Sequence, residues 1–197
     1  MSLSLSYRVL KAREVEAALD DLARLRMAVF RDWPYLYDGS MEYERGYVQS
    51  YVGKPGAILI AAFAGDAIVG ASTGTPMEDH DDDFQAALAG SGLDQRDMFY
   101  CAESVMLAGY RGQGAGHVFF EEREAHARRM GRRYSAFAAV VRPANHPLCP
   151  TDYVPLDGFW RKRGYAPLEG AIAEFRWKDV DQSAETAKPL QFWIKEL

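Results

Sequence analysis

The chain has 197 residues, a net charge of −5 and a pI of about 5.4, and this acidic balance argues against nucleic acid as a main partner. With 48% hydrophobic and 26% charged residues it reads as one globular domain spanning 1–197, large enough to bury a core without disulfides or metal. Its two cysteines, Cys101 and Cys149, can build no framework of bridges and suit reduced thiols in the cytoplasm.

In chain order, the opening MSLSLSYRVL has neither the basic start nor the apolar run of a secretory signal. YRVLKA at 7–12 reads as a first strand. In REVEAALDDLARLRMAVFRDW, Val15, Leu19, Leu22 and Leu25 recur at helical spacing, and Pro34 ends the helix. A less regular helix is predicted over 40–52. GAILIAAFAGDAIVGASTGTP holds two apolar runs around Gly65-Asp66, the signature of a tight antiparallel hairpin. Its longest apolar stretch, AILIAAFA at 57–64, is far short of the ~20 residues of a membrane span. Residues 78–90 suggest a short acidic helix or loop, and MFYCAESVML at 98–107 a strand. A helix is expected over 114–130, with Val118, Phe119, Ala125 and Met130 as its inner stripe and Gly131 as its stop. YSAFAAVV at 134–141 reads as a strand, PLDGFWRKRG at 155–164 as a short helix, and AIAEFRWKDV and PLQFWIKEL as two closing strands. Strands alternate with helices around a hairpin, which predicts an α/β fold with a mixed sheet.

The stretch AGYRGQGAGHVFFEERE at 108–124 carries Gly112, Gly114 and Gly116 between a strand and a helix. A helix N-terminus leaves backbone N–H groups unpaired, and glycines let a phosphate approach them. A P-loop would need a Lys-Ser or Lys-Thr pair, which is missing. A dinucleotide fingerprint starting at Gly112 or Gly114 would need glycine where His117 or Phe119 stands, and an acid where RRYSAF lies. The pattern [R/Q]-x-x-G-x-[G/A] is met by Arg111, Gly114 and Gly116. With the preceding strand, the following helix and strand, and the element FWRKRGY before two last strands, the chain resembles the GNAT superfamily of acetyl-CoA-dependent N-acetyltransferases. The early hairpin matches that family's second and third strands. The resemblance covers nearly the whole chain; residues 31–53 and 142–153 match least.

The resemblance implies a GNAT-like fold, a mixed central sheet of six to seven strands flanked by helices, with acetyl-CoA as co-substrate and no metal. Counted back from Arg111, the bulged and splayed part of the strand falls on Ser104, Val105 and Met106, whose backbone would pair with the pantetheine arm. The Met106 amide is the expected donor to the thioester carbonyl. The amides of Gly112, Gln113, Gly114, Ala115, Gly116 and His117 would hold the pyrophosphate, in a cradle anchored at Arg111. The family commonly has proline three residues before that arginine, where this chain has Ala108.

An amine must lose a proton to attack, since a free alkylamine titrates near ~10.4. Glu103, an acid in an otherwise apolar strand, is the candidate base if burial raises its pKa; the alternatives are a solvent-facing glutamate or one paired with an arginine. The family's tyrosine acid falls on Trp160, and indole is no usable acid. Tyr153 could substitute, Tyr165 less well, or the thiolate could leave unaided. The family's CoA-contacting asparagine falls on Asn145 when counted from the strand and on Tyr153 when counted from the helix. The difference implies an inserted loop, HPLCPTDY at 146–153, near the acceptor side.

Three other features are less specific. MEDHDDDFQAAL carries five acids and His80 and fits a solvated helix start. The aromatic run RDWPYLYDGSMEYERGYVQSY at 31–51, with Asp38, Glu42 and Glu44, suits either packing or an amine acceptor held by ring-face and charge contacts. His117 and His126 stand nine apart on one helix, which matches no zinc spacing. The expected activity is acetyl transfer to a primary amine of a small molecule by direct attack, with no nucleic-acid or membrane partner; a homodimer is compatible with it. The alternatives are a non-catalytic CoA-binding sensor of the same fold and an enzyme acting on a protein N-terminus or lysine. Cys101 lies in a buried strand, which disfavours a cysteine nucleophile.

Overall fold

A computed structural model describes residues 4–80 and 82–197; the first three residues of the opening stretch, and Asp81 of the acidic run, lie outside the described residues. The elements run β1 (Leu5–Val9), α1 (Ala12–Ala17), α2 (Leu19–Phe30), α3 (Met41–Gln49), β2 (Ile58–Ala64), β3 (Ala67–Pro76), α4 (Asp82–Ala86) and β4 (Met98–Met106). Then follow α5 (Ala115–Arg129), β5 (Tyr134–Val140), α6 (Asp157–Lys162), β6 (Ala166–Lys178) and β7 (Glu185–Glu196). Seven strands form one sheet in the order β1-β2-β3-β4-β5-β7-β6. Only β4 and β5 run parallel, so the sheet is mixed. Among the described residues, no helix is long and apolar enough to cross a membrane.

Strand alternation divides the core into two faces. Ile60, Phe99, Cys101, Met106 and Phe137 turn to one face, where Phe119 and Phe120 of α5 meet them. Leu59, Ala61 and Val105 turn to the other, under Leu22 and Leu25 of α2 and Val48 of α3. Further along that second face, Tyr100, Ala136 and Phe192 pack with Met77, Phe84 and Leu88. Each such large apolar side chain contributes about 1.5–3 kcal/mol by leaving water.

The hairpin closes as its glycine predicts. Ala64 pairs with Ala67, and Gly65 takes φ 62° at the first loop position. Three elements differ from expectation. The first helix is broken at Ala18, whose N–H donates to both Glu14 and Val15 carbonyls at 3.1 Å and closes α1 as a tight turn. Strand β6 begins at Ala166, ahead of the predicted 171, because a bulge between Pro167 and Ile172 absorbs Gly170 at φ 76°. The buried stripe of α5 is Ala115, Phe119, Phe120, Arg123, Glu124 and Ala127, not Val118, Ala125 and Met130. Its geometry is the expected i, i+4 row, but two charged residues occupy inward positions.

Candidate active site

The sheet opens between β4 and β5. Their parallel pairing covers only Met98–Tyr100 against Tyr134–Ala136, although β4 runs on to Met106 and β5 to Val140. The cause lies on the other side of β4. Thr75 pairs with Tyr100 and Thr73 with Glu103, so two steps along β3 face three along β4. The extra residue is a bulge at Cys101–Ala102, which bends β4 and strengthens its twist. Gly74 sits opposite; a Cβ there would meet the Phe99 ring and lie 3.1 Å from the Tyr100 carbonyl. The bulge thus lies upstream of the expected Ser104–Met106, and those residues follow it as regular strand.

Ladder parity decides which of them face the opening. Leu107 N–H donates to the Val69 carbonyl at 2.9 Å. In an antiparallel ladder the bonding direction alternates, so residues 103, 105 and 107 turn their amides to β3. Ser104 and Met106 turn theirs to the open side. Val105 is therefore a correction: its amide faces β3 and its side chain is buried under α2.

The glycine turn follows directly. A short turn over Ala108–Tyr110 leads from β4 to Arg111 and α5. Gly112 and Gly114 have φ of 77° and 84°, the left-handed region where only glycine is unstrained. Gly114 caps α5, and His117 N–H donates to its carbonyl at 2.9 Å. The amides of Gly112, Gln113, Gly114, Ala115 and Gly116 precede that first bond and form the open donor end of the helix. The His117 amide, expected in the cradle, is committed to the helix instead. Its ring lies 5.0 Å from that of Phe159, with Nδ1 3.0 Å from Arg163 Nη1. Phe159 also comes within 3.3 Å of where a Cβ on Gly116 would be, so the third glycine admits α6 against the helix start. The Arg111 side chain is a strut: Nε donates to the Met106 carbonyl at 3.0 Å, and Nη2 lies 3.7 Å from Asp32.

The face of β4 under α2 and α3 carries Glu103. Its carboxylate is buried and ion-paired with Nη1 of Arg26, whose Nε binds Glu44. Of the environments weighed from the sequence, the arginine pair is the one present, and the isolated buried acid is not. Arg26 also stacks over the Tyr47 ring at 3.8 Å. Around this cluster stand Tyr35, Tyr37, Tyr51 and Tyr100. Burial pushes the Tyr35 phenol up to about 12, and raises Tyr37, Tyr47, Tyr51 and Tyr100 above the ordinary tyrosine value. All five are protonated donors at neutral pH.

The aromatic segment is strapped across the sheet. Arg142, just after β5, donates to the carbonyls of Pro34 at 2.8 Å and Tyr35 at 2.6 Å and forms a two-pronged pair with buried Asp179. Asp38 is engaged by Lys178 at 2.6 Å and Arg31 at 3.2 Å, and Glu42 is exposed, so of the three acids only Glu44 joins the buried cluster.

The remaining candidates sort by packing. Trp160 is half-buried, packed against the core between Phe137 (4.9 Å) and Trp193 (5.1 Å), with nothing acidic to offer. Tyr165 is buried, its hydroxyl bonded to Ser135 Oγ at 2.7 Å and to Glu124 at 3.1 Å, and burial raises its pKa strongly. Burial also raises the Cys101 thiol, 3.3 Å from Ser135 Oγ, which makes it an inert sulfur. Tyr153 meets Trp33 edge-on at 5.9 Å, and neighbouring His146 lies 5.2 Å from the same ring, so the 146–153 loop packs on the aromatic segment. Burial raises the Tyr153 phenol above the ordinary tyrosine value, so it is protonated at neutral pH. Asn145 is exposed in the loop after β5. Among the described residues, no three His, Cys, Asp or Glu side chains are grouped so as to hold a metal ion.

Sequence reasoning missed Arg26 and Arg123, both buried at β4. The signal was spacing: each falls one turn after a core residue, Leu22 and Phe119, on an inward helical row.

A strand that parts from its neighbour and then runs into a glycine turn at a helix N-terminus defines the fold class of the GNAT acetyltransferases, and comparison with solved structures agrees. Over 98% of this chain and 99% of theirs, it superposes on an acetyltransferase of the GNAT family from Streptococcus pneumoniae (14% identity, TM-score 0.59) and on the PaiA N-acetyltransferase of Thermoplasma acidophilum in complex with coenzyme A (12%, 0.54). It also matches yncA of Salmonella typhimurium, solved with its cofactor acetyl-CoA, at 11% identity and TM-score 0.57 over 98% and 94% of the two chains. No family model matches the sequence, and no curated protein matches it significantly. The fold is that of the GNAT acetyltransferases.

Proposed function

We propose that the chain transfers the acetyl group of acetyl-CoA to a primary amine of a small molecule, by direct attack within a ternary complex. The observation that carries this reading is the continuity of the open edge of β4 with the open amides of Gly112–Gly116. One supplies an extended backbone for a pantetheine arm to pair with, the other a dipole end for its pyrophosphate. Solved structures of the same fold that hold coenzyme A or acetyl-CoA support that assignment.

The acceptor approaches from the face of α2 and α3. There the Glu103 carboxylate attracts the ammonium, and tyrosine rings surround it. Because Glu103 is shared with Arg26, the proton passes on to water rather than resting on the carboxylate. The thiolate of CoA, whose thiol titrates near ~8.5, leaves unaided and takes its proton from water.

One observation favours a second reading, a CoA-binding sensor: a half-buried Trp160, packed on Phe137 and Trp193, stands where the family resemblance calls for an acidic tyrosine. CoA release from acetyl-CoA across a panel of amines separates the two. Steady turnover with any small amine rejects the sensor. Saturable acetyl-CoA binding with no turnover across the panel rejects the enzyme. Turnover in Glu103→Gln equal to the parent's removes Glu103 from the reaction.

A further inference from the structure

Arg123 is 1% exposed, and none of the ion pairs among the described residues involves it. A buried guanidinium without a counter-ion is costly unless strong acceptors surround it. Its acceptors are few and directed. Nε donates to the Phe119 carbonyl at 3.1 Å, within α5. Nη1 donates to the Thr73 carbonyl at 3.2 Å and the Glu103 carbonyl at 2.8 Å, and Nη2 to Ser104 Oγ at 2.9 Å. The cation is thus fastened to the paired residues Thr73 and Glu103, at the point where the bulge ends.

The Glu103 carbonyl belongs to the same peptide unit as the Ser104 amide. Parity turns that carbonyl to β3 and that amide to the opening. A charge-assisted bond at one end of a peptide strengthens donation from the other. The Met106 amide faces the same side, but the carbonyl of its own peptide unit, on Val105, accepts from no cation among the described residues.

We propose that Arg123 is a positioning residue that polarises the Glu103–Ser104 peptide, making the Ser104 amide, rather than that of Met106, the donor to the thioester oxygen. This rests on the acetyltransferase reading. In the reaction the amine lone pair forms a bond to the thioester carbon while the carbonyl π pair moves onto oxygen, facing Ser104 N–H. The intermediate then re-forms the carbonyl and breaks the C–S bond. The electron pair leaves on sulfur, the nitrogen loses its proton to water, and the thiolate takes one from water.

The test is isotope-edited infrared spectroscopy of 13C-carbonyl acetyl-CoA bound to the parent, Arg123→Lys and Arg123→Met, beside kcat and the Kd for CoA. The parent shifts the carbonyl band to lower wavenumber. R123M loses that shift and about 10²-fold in kcat, the scale of one oxyanion donor, while Kd for CoA, which has no carbonyl at that position, stays within about threefold. R123K, which keeps the charge and serves if R123M does not fold, retains part of the shift. An unmoved band or unchanged kcat in the folded variants overturns the proposal, as does a fall in CoA affinity that accounts for the whole loss. If the parent binds no acetyl-CoA, the acetyltransferase reading fails and the proposal with it; if the parent binds and turns over but the variants behave like it, only the role of Arg123 fails.

Discussion

Glu103 is gripped from both faces of the sheet, its carboxylate by Arg26 from α2 and its carbonyl by Arg123 from α5. Each grip spends a buried charge, and removing either partner strands the other. Arg26→Met leaves two carboxylates, on Glu44 and Glu103, buried without their cation. A loss of about 3–5 kcal/mol is expected, read as a lower denaturant midpoint at unchanged m-value. A change within about 0.5 kcal/mol would show that the ion pairs are not formed in solution. The buried tyrosines make a pH prediction. Their pKa values are raised in the fold, so between about pH 10 and their folded values the native state holds protons that the unfolded chain has lost. Stability from this source is therefore full below pH 10 and falls as pH rises beyond it, by about 1.4 kcal/mol per pH unit for each tyrosine. Thermal unfolding between pH 8 and 11 checks it: the midpoint drops above pH 10, and Tyr35→Phe makes the drop shallower.

At the scale of elements, the turn into α5 depends on two left-handed glycines, Gly112 and Gly114. Gly114→Ala costs about 1–2 kcal/mol in backbone strain and displaces the open amides. CoA affinity is expected to fall about tenfold by calorimetry, with little change in the acetyl-carbonyl environment of what still binds. The turn was legible in the sequence because glycine spacing and the strand-to-helix change are local signals. The hairpin was legible for the same reason. The inner face of α5 was not, because Arg123 and Glu124 occupy inward positions and break the apolar pattern that reveals a stripe. Nor was the bulge at Cys101–Ala102, which is a property of pairing with β3 and leaves no mark in β4 alone. Val105 falls at the open edge when Ser104, Val105 and Met106 are counted back from Arg111 as one block, whereas strand alternation turns the middle amide to β3.

For the whole molecule, the proposed function rests on one interruption of an otherwise continuous sheet. β1 to β4 form one antiparallel half and β5, β7 and β6 another, and three residues of parallel pairing join them. The α/β class with a mixed sheet could be read from element order, while the strand order β1-β2-β3-β4-β5-β7-β6 could not, since it depends on which strands pair. The environment of Glu103 could not, because Arg26 and Glu44 come to it from helices far away in sequence. The central claim is that acetyl-CoA lies in this opening, with its pyrophosphate on the glycine turn. Amide hydrogen exchange, followed by NMR with and without saturating acetyl-CoA, tests it most directly. The account predicts slowed exchange at Gly112–Gly116 and at Ser104 and Met106, with Val105 and Leu107, already paired to β3, unchanged. Saturable binding that leaves those open amides exchanging as fast as before, or that protects a different face of the sheet, would contradict it.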